Sequence, residues 1–456
     1  MNNANSMLAP TKEEMVFTKK MIDLMAQSPT SFHVVETNKK VLLENGFEEL
    51  NESERWNLAP GGKYFVTKNL SCMVAFILPE ANNLKELRDK LNGFMINASH
   101  SDHPCFKIKR NPEIDVEGHY TVLNTEPYGG TLYYSWMDRP LTVAGRVFLQ
   151  TEKGFTTKPV YVDRSLFIIP SLSIHQSDNV NTKGFVANAH TQLRPLYGSA
   201  GSQTLIELVA RENNIDRKDI IDYELFAVRS AKPSIWGANR EFISARGIDD
   251  QACVFSSLIA LTEAKPIYSI PVHMVFDNEE IGSCTKQGAD SSVAINILSK
   301  VLACLGVNAD QYYQTFPSSF MISADNGHAL HPNYPDANDD KVKSYLGNGP
   351  VLKYAAGFSY STDGLSSSVA YKIAHKCGVH LQEYYNKSGI VPGSTLAKFL
   401  SPSINIMSID LGLPQLAMHS SYETCSSKDP VHLKNFIKAC FSSSIKMEKD
   451  GTYTVI

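Results

Sequence analysis

Tryptophan occurs only 3 times in 456 residues, and cysteine 8 times. The cysteines are scattered, with no two in C-x-x-C spacing. That excludes a zinc ribbon and a disulfide framework and fits a reducing compartment, the cytoplasm. Neither sign of charge is in excess: 43 Lys and Arg face 47 Asp and Glu, a formal net charge of -4. Such a balance argues against a dedicated binder of nucleic acid or of a membrane surface. No apolar run approaches the ~18–20 residues needed to cross a bilayer. The first residues, MNNANSMLAPTKEE, lack the basic-then-apolar order of a secretory signal. There is no internal repeat, low-complexity tract or long linker. What is present is ordinary globular material, 43% hydrophobic and 20% charged. It is enough for two to four domains, or for one large domain with an insertion.

The pattern along the chain favours the insertion. Thr11 and Glu14 have capping-box spacing, so a helix is expected from there to the Ser28-Pro29 break, and a second from Phe32 to Gly46. Strand-like runs follow at 63–68, 72–78 and 93–98. Between 106 and 237 short β-like pieces (120–124, 131–136, 143–149, 160–162 and 165–169) are separated by Gly, Pro and Asp turns, with one helical stretch near 202–213. Beyond it, strands at 271–276, 319–323 and 404–409 alternate with helices at 252–264, 289–305, 366–377 and 430–446. In the last of these Asp429 reads as N-cap and Pro430 as N1. The expectation is an α/β fold: a three-layer α/β/α catalytic domain with a mixed sheet, formed by residues 1–105 and 238–456. Residues 106–237 would interrupt it as an inserted, mostly β domain.

Five places concentrate imidazole and carboxylate, and four of them stand where a strand should end. They are Ser99-His100-Ser101-Asp102, Asp249-Asp250, Asp277-Asn278-Glu279-Glu280, Asp325-Asn326-Gly327-His328, and Met418-His419. In open α/β sheets, ligands collect beyond the carboxyl ends of strands, so these groups can converge from distant parts of the chain. Carboxylates sharing one cleft repel unless a cation compensates. Imidazole plus carboxylate without thiolate suits zinc, manganese or cobalt. The acids are too many for one tetrahedral site and fit two ions sharing a carboxylate, with one acid left over as a base. Asp102, two residues beyond His100, is placed to orient that imidazole. His33, His273, His375, His380 and His432 show no acidic partner pattern and read as packing or surface histidines.

The chain resembles the aspartyl aminopeptidase family, metallopeptidases with paired catalytic ions that release N-terminal residues. The likeness runs through Ser28-Pro29 with Phe32-His33, Ser99-His100-Ser101-Asp102-His103-Pro104-Cys105, and Tyr128-Gly129-Gly130 followed by Trp136, Asp138-Arg139 and Leu141. It continues through Ile169-Pro170-Ser171-Leu172-Ser173-Ile174-His175, Ile248-Asp249-Asp250 and Asp277-Asn278-Glu279-Glu280-Ile281-Gly282-Ser283. Ser323-Ala324-Asp325, His331-Pro332-Asn333-Tyr334, Gly349-Pro350-Val351-Leu352-Lys353 and Leu416-Ala417-Met418-His419-Ser420 complete it. The chain departs from the family at three points. It has Ile-Asp-Asp-Gln where Leu-Asp-Asn-Leu is more usual, Val391 where Cys is common, and Asn-Gly after Asp325 where Met-Ala is common. The last lies against the substrate pocket and bears on specificity.

Carried onto this sequence, the resemblance implies two divalent ions per subunit, Zn2+ with Mn2+ or Co2+ as alternatives. His100 and Asp325 would hold one ion, Glu280 and His419 the other, and Asp249 would bridge. Glu279 would be the general base. His175 would reach the active site of a neighbouring subunit. His328, Lys353 and Tyr360 would line the pocket for the first side chain of the peptide. The implied substrates are peptides beginning with Asp or Glu, the alternative being neutral or apolar N-terminal residues. No nucleic-acid or membrane partner is implied. The implied assembly is a homo-oligomer, a dodecamer built from dimers, with 106–237 as the dimerisation domain.

Overall fold

The computed structural model describes residues 9–177, 179–390 and 392–456. A mixed nine-stranded sheet runs, edge to edge, Glu48–Glu49, Lys63–Lys68, Cys72–Ile77, Ile270–Phe276, Phe94–His100, Phe320–Ala324, Met407–Gly412, Val351–Tyr354 and Gln382–Tyr385. The four central strands, from Ile270–Phe276 to Met407–Gly412, are mutually parallel. Cys72–Ile77 is apolar on both faces because both are covered. Met73, Ala75 and Ile77 join one core with the helices Lys12–Ala26, Ser31–Glu44, Ile248–Thr262, Gly364–Cys377 and Asp429–Phe441. Cys72, Val74 and Phe76 join the other, with Val293–Cys304 and Ala397–Ile404. This alternation at the period of a strand makes the three layers.

A second, six-stranded antiparallel sheet lies wholly between Cys105 and Arg229. Its own core is built on Phe106, Trp136, Leu141, Val147 and Leu225, with Leu205, Leu208 and Val209 of the helix Leu205–Glu212. A third sheet of five short strands contains Ser234–Trp236, Phe242–Ala245, Glu423–Ser426, Pro414–Leu416 and Gly327–His328. Residues 234–236 thus pair with strands of the outer chain segments, although the sequence grouped them with the β-rich stretch.

Local chemistry explains most boundaries. The Thr11 capping box forms in both directions: Glu14 N–H donates to Thr11 Oγ1 at 3.2 Å and Thr11 N–H to the Glu14 carboxylate at 2.5 Å. Five readings need correction. Residues 133–136 form a 3-10 turn instead of a strand, its rings packed on Phe106, with Trp136 edge-on at 5.2 Å. Residues 165–169 make only isolated bridges. Ile404 ends a helix, which Asn405 closes in the left-handed region (φ 58), so that strand begins at Met407. The last helix has Lys428 as N-cap and stops at Phe441, and Ile445–Lys449 pairs with Thr452–Val455. Asp429 instead accepts the amide N–H groups of Gly347 and Gly349, both at 2.8 Å. His432 does meet an acid, Glu14, at 3.1 Å.

Candidate metal centre

Three adjacent parallel strands end side by side. Phe94–His100 delivers His100, Ile270–Phe276 delivers Glu279 and Glu280 by way of a short turn, and Phe320–Ala324 delivers Asp325. The five-stranded sheet brings in the others: Asp249 follows Phe242–Ala245, and His419 lies between Pro414–Leu416 and Glu423–Ser426. Ligand atoms of His100, Glu279 and Asp325 lie within 4.8 Å of one another, as do those of Asp249, Glu280 and His419. Asp249 stands between the two groups. Its Oδ1 is 3.6 Å from His100 Nε2 and its Oδ2 is 3.8 Å from His419 Nε2, while His419 Nε2 is 3.3 Å from Glu280 Oε2.

Both imidazoles are held by their other nitrogen. His100 Nδ1 bonds the Asp102 carbonyl at 3.1 Å and His419 Nδ1 the Gly130 carbonyl at 3.2 Å. A carbonyl can only accept, so each Nδ1 carries a proton and each Nε2 is the nitrogen turned to the cluster, where it can ligate a cation on giving up any proton of its own. The Asp102 carboxylate accepts the backbone N–H groups of Glu279 (3.1 Å) and Glu280 (3.2 Å) and the Tyr128 hydroxyl (2.7 Å). It also lies 3.4 Å from His100 Nδ1.

Burial and mutual repulsion of the carboxylates dominate the electrostatics. Burial, reinforced by neighbouring carboxylates, raises Glu280 and Asp250 well above the carboxylate range. Burial together with Asp325, Asp102 and Asp249 pushes Glu279 up to about 8, against the opposing pull of His100. Burial also raises Asp325, with Lys353 opposing. Asp249 is the exception: burial acts to raise it, but His100 and His419 hold it below the ordinary value. Buried oxygens of Asp249, Asp250 and Glu280 have no hydrogen-bond partner. Orphaned carboxylate oxygens beside two oriented imidazoles fit divalent cations with nitrogen and oxygen ligands.

Two contributors have no role assigned in the sequence reading, and only Glu423 is absent from that reading altogether. Glu423, 1% exposed, accepts the amide of Asp249 at 3.0 Å and that of His419 at 2.7 Å, so one carboxylate registers two ligand-bearing segments. Four residues past His419 and inside a strand, it gave no motif signal. Asp250, named with Asp249 but given no role of its own, lies with His100 and Asp249 as the second acid of that group and accepts the His100 amide at 3.1 Å.

Of the expected pocket residues, Lys353 is buried, its ammonium 3.2 Å from Asp325 and 3.1 Å from the Asn326 carbonyl. Tyr360 is buried with its ring centroid 5.0 Å from that ammonium. His328 is exposed, 6.0 Å from the Tyr384 ring. His175 is exposed and belongs to none of the converging groups among the described residues. The Asn-Gly departure also finds its place. The Asn326 side chain turns into the core, donating to the Ile248 carbonyl and Gln415 and accepting from Leu413 N–H, all at 2.9 Å. Of Asn326 only the backbone carbonyl reaches Lys353, and a Cβ on Gly327 would lie 3.5 Å from Lys353 Cδ. Val391 lies outside the described residues.

A family profile described as aminopeptidase I zinc metalloprotease (M18) matches residues 24–441. A probable M18 family aminopeptidase 2 of Clostridium novyi is 40% identical over 425 residues, covering 92% of this chain and 96% of that protein. An aspartyl aminopeptidase of Dictyostelium discoideum is 32% identical over 476 aligned positions, covering 94% and 97%. Among solved structures, the one titled "Cryo-EM structure of the Ape4 and Nbr1 complex" superposes with a TM-score of 0.89 at 30% identity, covering 95% of this chain and 87% of that one. Among the described residues no helix is long and apolar enough to cross a membrane.

Proposed function

The chain belongs to the M18 family of zinc metallo-aminopeptidases, and on that premise we propose that it releases N-terminal Asp or Glu from peptides at a centre of two divalent ions. The observation that carries the two-ion reading is Asp249, whose two oxygens face different imidazoles. His100 and Asp325 would hold one ion, and Glu280 and His419 the other. Zinc at these positions would supply polarisation of the scissile carbonyl and acidification of a water.

The chain's own groups do the rest. Glu279 takes the proton of the attacking water and returns it to the leaving amine. Glu279 is placed for both transfers, its carboxylate within 4.8 Å of the ligand atoms of His100 and Asp325. Asp102 fixes His100 and, through two amides, the backbone carrying Glu279 and Glu280. The carboxylates of the cluster attract the free α-ammonium of the substrate, which favours exopeptidase action.

Acidic specificity is supported by a buried ammonium, Lys353, beside Tyr360, and by the name of the Dictyostelium relative. A preference for neutral residues is the second reading, favoured by one observation: Asp325 and the Asn326 carbonyl already engage Lys353. Rates on peptides beginning with Asp, Glu, Leu and Ala, beside N-acetylated controls, test it. Faster release of Leu than of Asp would favour the second reading, and cleavage of the acetylated peptides would refute both.

Residues 106–237 would act as the dimerisation domain of a cytoplasmic dodecamer built from dimers, with His175 stabilising the oxyanion in a neighbour's site. The stretch around His175 supports this, because Leu172 and Ile174 are 62% and 57% exposed in the isolated chain. Apolar side chains so exposed on one stretch mark a contact surface.

A further inference from the structure

The turn Tyr128-Gly129-Gly130 closes the strand Tyr120–Tyr128 of the six-stranded sheet and runs directly against the metal centre. The Tyr128 hydroxyl, besides its bond to Asp102, receives the side-chain amide of Asn278 at 2.9 Å. The Gly130 carbonyl takes His419 Nδ1–H, the Leu132 amide donates to the His419 carbonyl at 3.1 Å, and Ser421 N–H donates to Ser135 Oγ at 2.9 Å. The turn's two glycines lie tight against the ligands. A Cβ on Gly129 would stand 3.0 Å from Glu280 Cβ, and one on Gly130 would stand 2.9 Å from His419 Nδ1. The contacts of the two glycines fall on one half of the centre, Glu280 and His419, whereas Tyr128 reaches Asp102, which serves both halves. The His100 half has supports of its own in the Asp102 carbonyl and the Asp250 carboxylate.

We propose that this turn is a positioning element through which the six-stranded sheet sets the affinity of the Glu280–His419 half for its ion. The inference rests on the two-ion reading. The physical basis is restriction: the Gly130 carbonyl selects one tautomer of His419, and the Leu132 amide pins a backbone held in the left-handed region (φ 65). A ligand freed from such partners spends less time aimed at the ion. The two halves should therefore separate in affinity when the turn is disturbed, although no side chain of the turn touches substrate.

The test is calorimetric titration of the metal-free, full-length protein with Zn2+, with thermal melting of the metal-free protein alongside. Gly130 is not in the left-handed region, so Gly130→Ala confines its cost to the His419 contact. One of two binding steps should weaken about 10- to 100-fold, the usual effect of losing an outer partner of a ligand. The other step and the metal-free melting temperature should hold. Ser135→Ala, a milder change that removes the acceptor of Ser421 N–H, should weaken the same step about three- to tenfold. If Gly130→Ala does not fold, Ser135→Ala decides alone. Wild-type protein binding two ions, with folded variants matching it at both steps, overturns the role of the turn. Equal weakening of both steps with lower melting also overturns it, since that is general loosening. Wild-type uptake of fewer than two ions overturns the two-ion reading and this inference with it.

Discussion

Replacing Lys353 by methionine keeps the length of the side chain and removes its charge. The side chain is 2% exposed and its ammonium lies 3.2 Å from Asp325 Oδ1. Removing one partner of a buried pair costs about 3–5 kcal/mol, so the metal-free variant should melt below wild type. The effect on catalysis then has two parts. Whatever acts through Asp325 falls on every substrate alike. Whatever acts through the pocket falls only on substrates whose first side chain is a carboxylate. There, loss of a desolvated partner costs about 2–5 kcal/mol. At about 1.4 kcal/mol per tenfold, that is a thirtyfold or larger loss. The ratio of kcat/KM on Asp and Glu peptides to that on Leu and Ala peptides isolates the second part. Measured on zinc-loaded wild type and Lys353→Met, this ratio should fall at least about thirtyfold. An unchanged ratio, with all four substrates slowed equally, would refute the pocket role and leave Lys353 as a support of Asp325.

Other outcomes follow from the same geometry. Glu279→Gln should lose about two to four orders of magnitude in kcat while still binding both ions by calorimetry, and near-normal turnover would remove Glu279 as the base. The metal-free protein should lose stability as pH rises from about 4.5, the ordinary Glu value, to about 8. Glu279 and Glu423, both raised to about 8 mainly by burial, keep protons that the unfolded chain has released, so each contributes up to about 1.4 kcal/mol per pH unit in that window. Melting curves that rise or stay flat across it would contradict this. Subunits carrying His175→Ala and Glu279→Gln, inactive apart, should regain activity when assembled together, and verified mixed oligomers without rescue would place His175 outside the neighbour's site.

The legible parts of the fold and site were those written in local patterns. His100, the Glu279-Glu280 pair and Asp325 each follow a short apolar run, and three parallel strands do end together there. Asp249 also follows a strand, but one of the five-stranded sheet, whose strands of two to four residues are too short to show a period. Glu423 was invisible for a different reason: its role is to accept two backbone amides, and backbone donors leave no trace in composition. The Thr131–Trp136 stretch has the aromatic content of a strand, yet its rings pack on Phe106 from a 3-10 turn. Packing across the chain overrode local preference there. The Asn326 departure looked like a change of pocket and proved to be a core hydrogen-bonding residue, a distinction set by which way the side chain leaves the strand end.

The division of Asp249 between two ions is the feature on which the proposed centre depends. Diffraction from crystals of the zinc-loaded protein, with anomalous differences collected at the zinc edge, measures it. The account predicts two peaks per chain about 3.5–4 Å apart, one beside His100 and Asp325 and the other beside Glu280 and His419, each next to a different Asp249 oxygen. A single peak, or two peaks that leave Asp249 outside both coordination spheres, would contradict it.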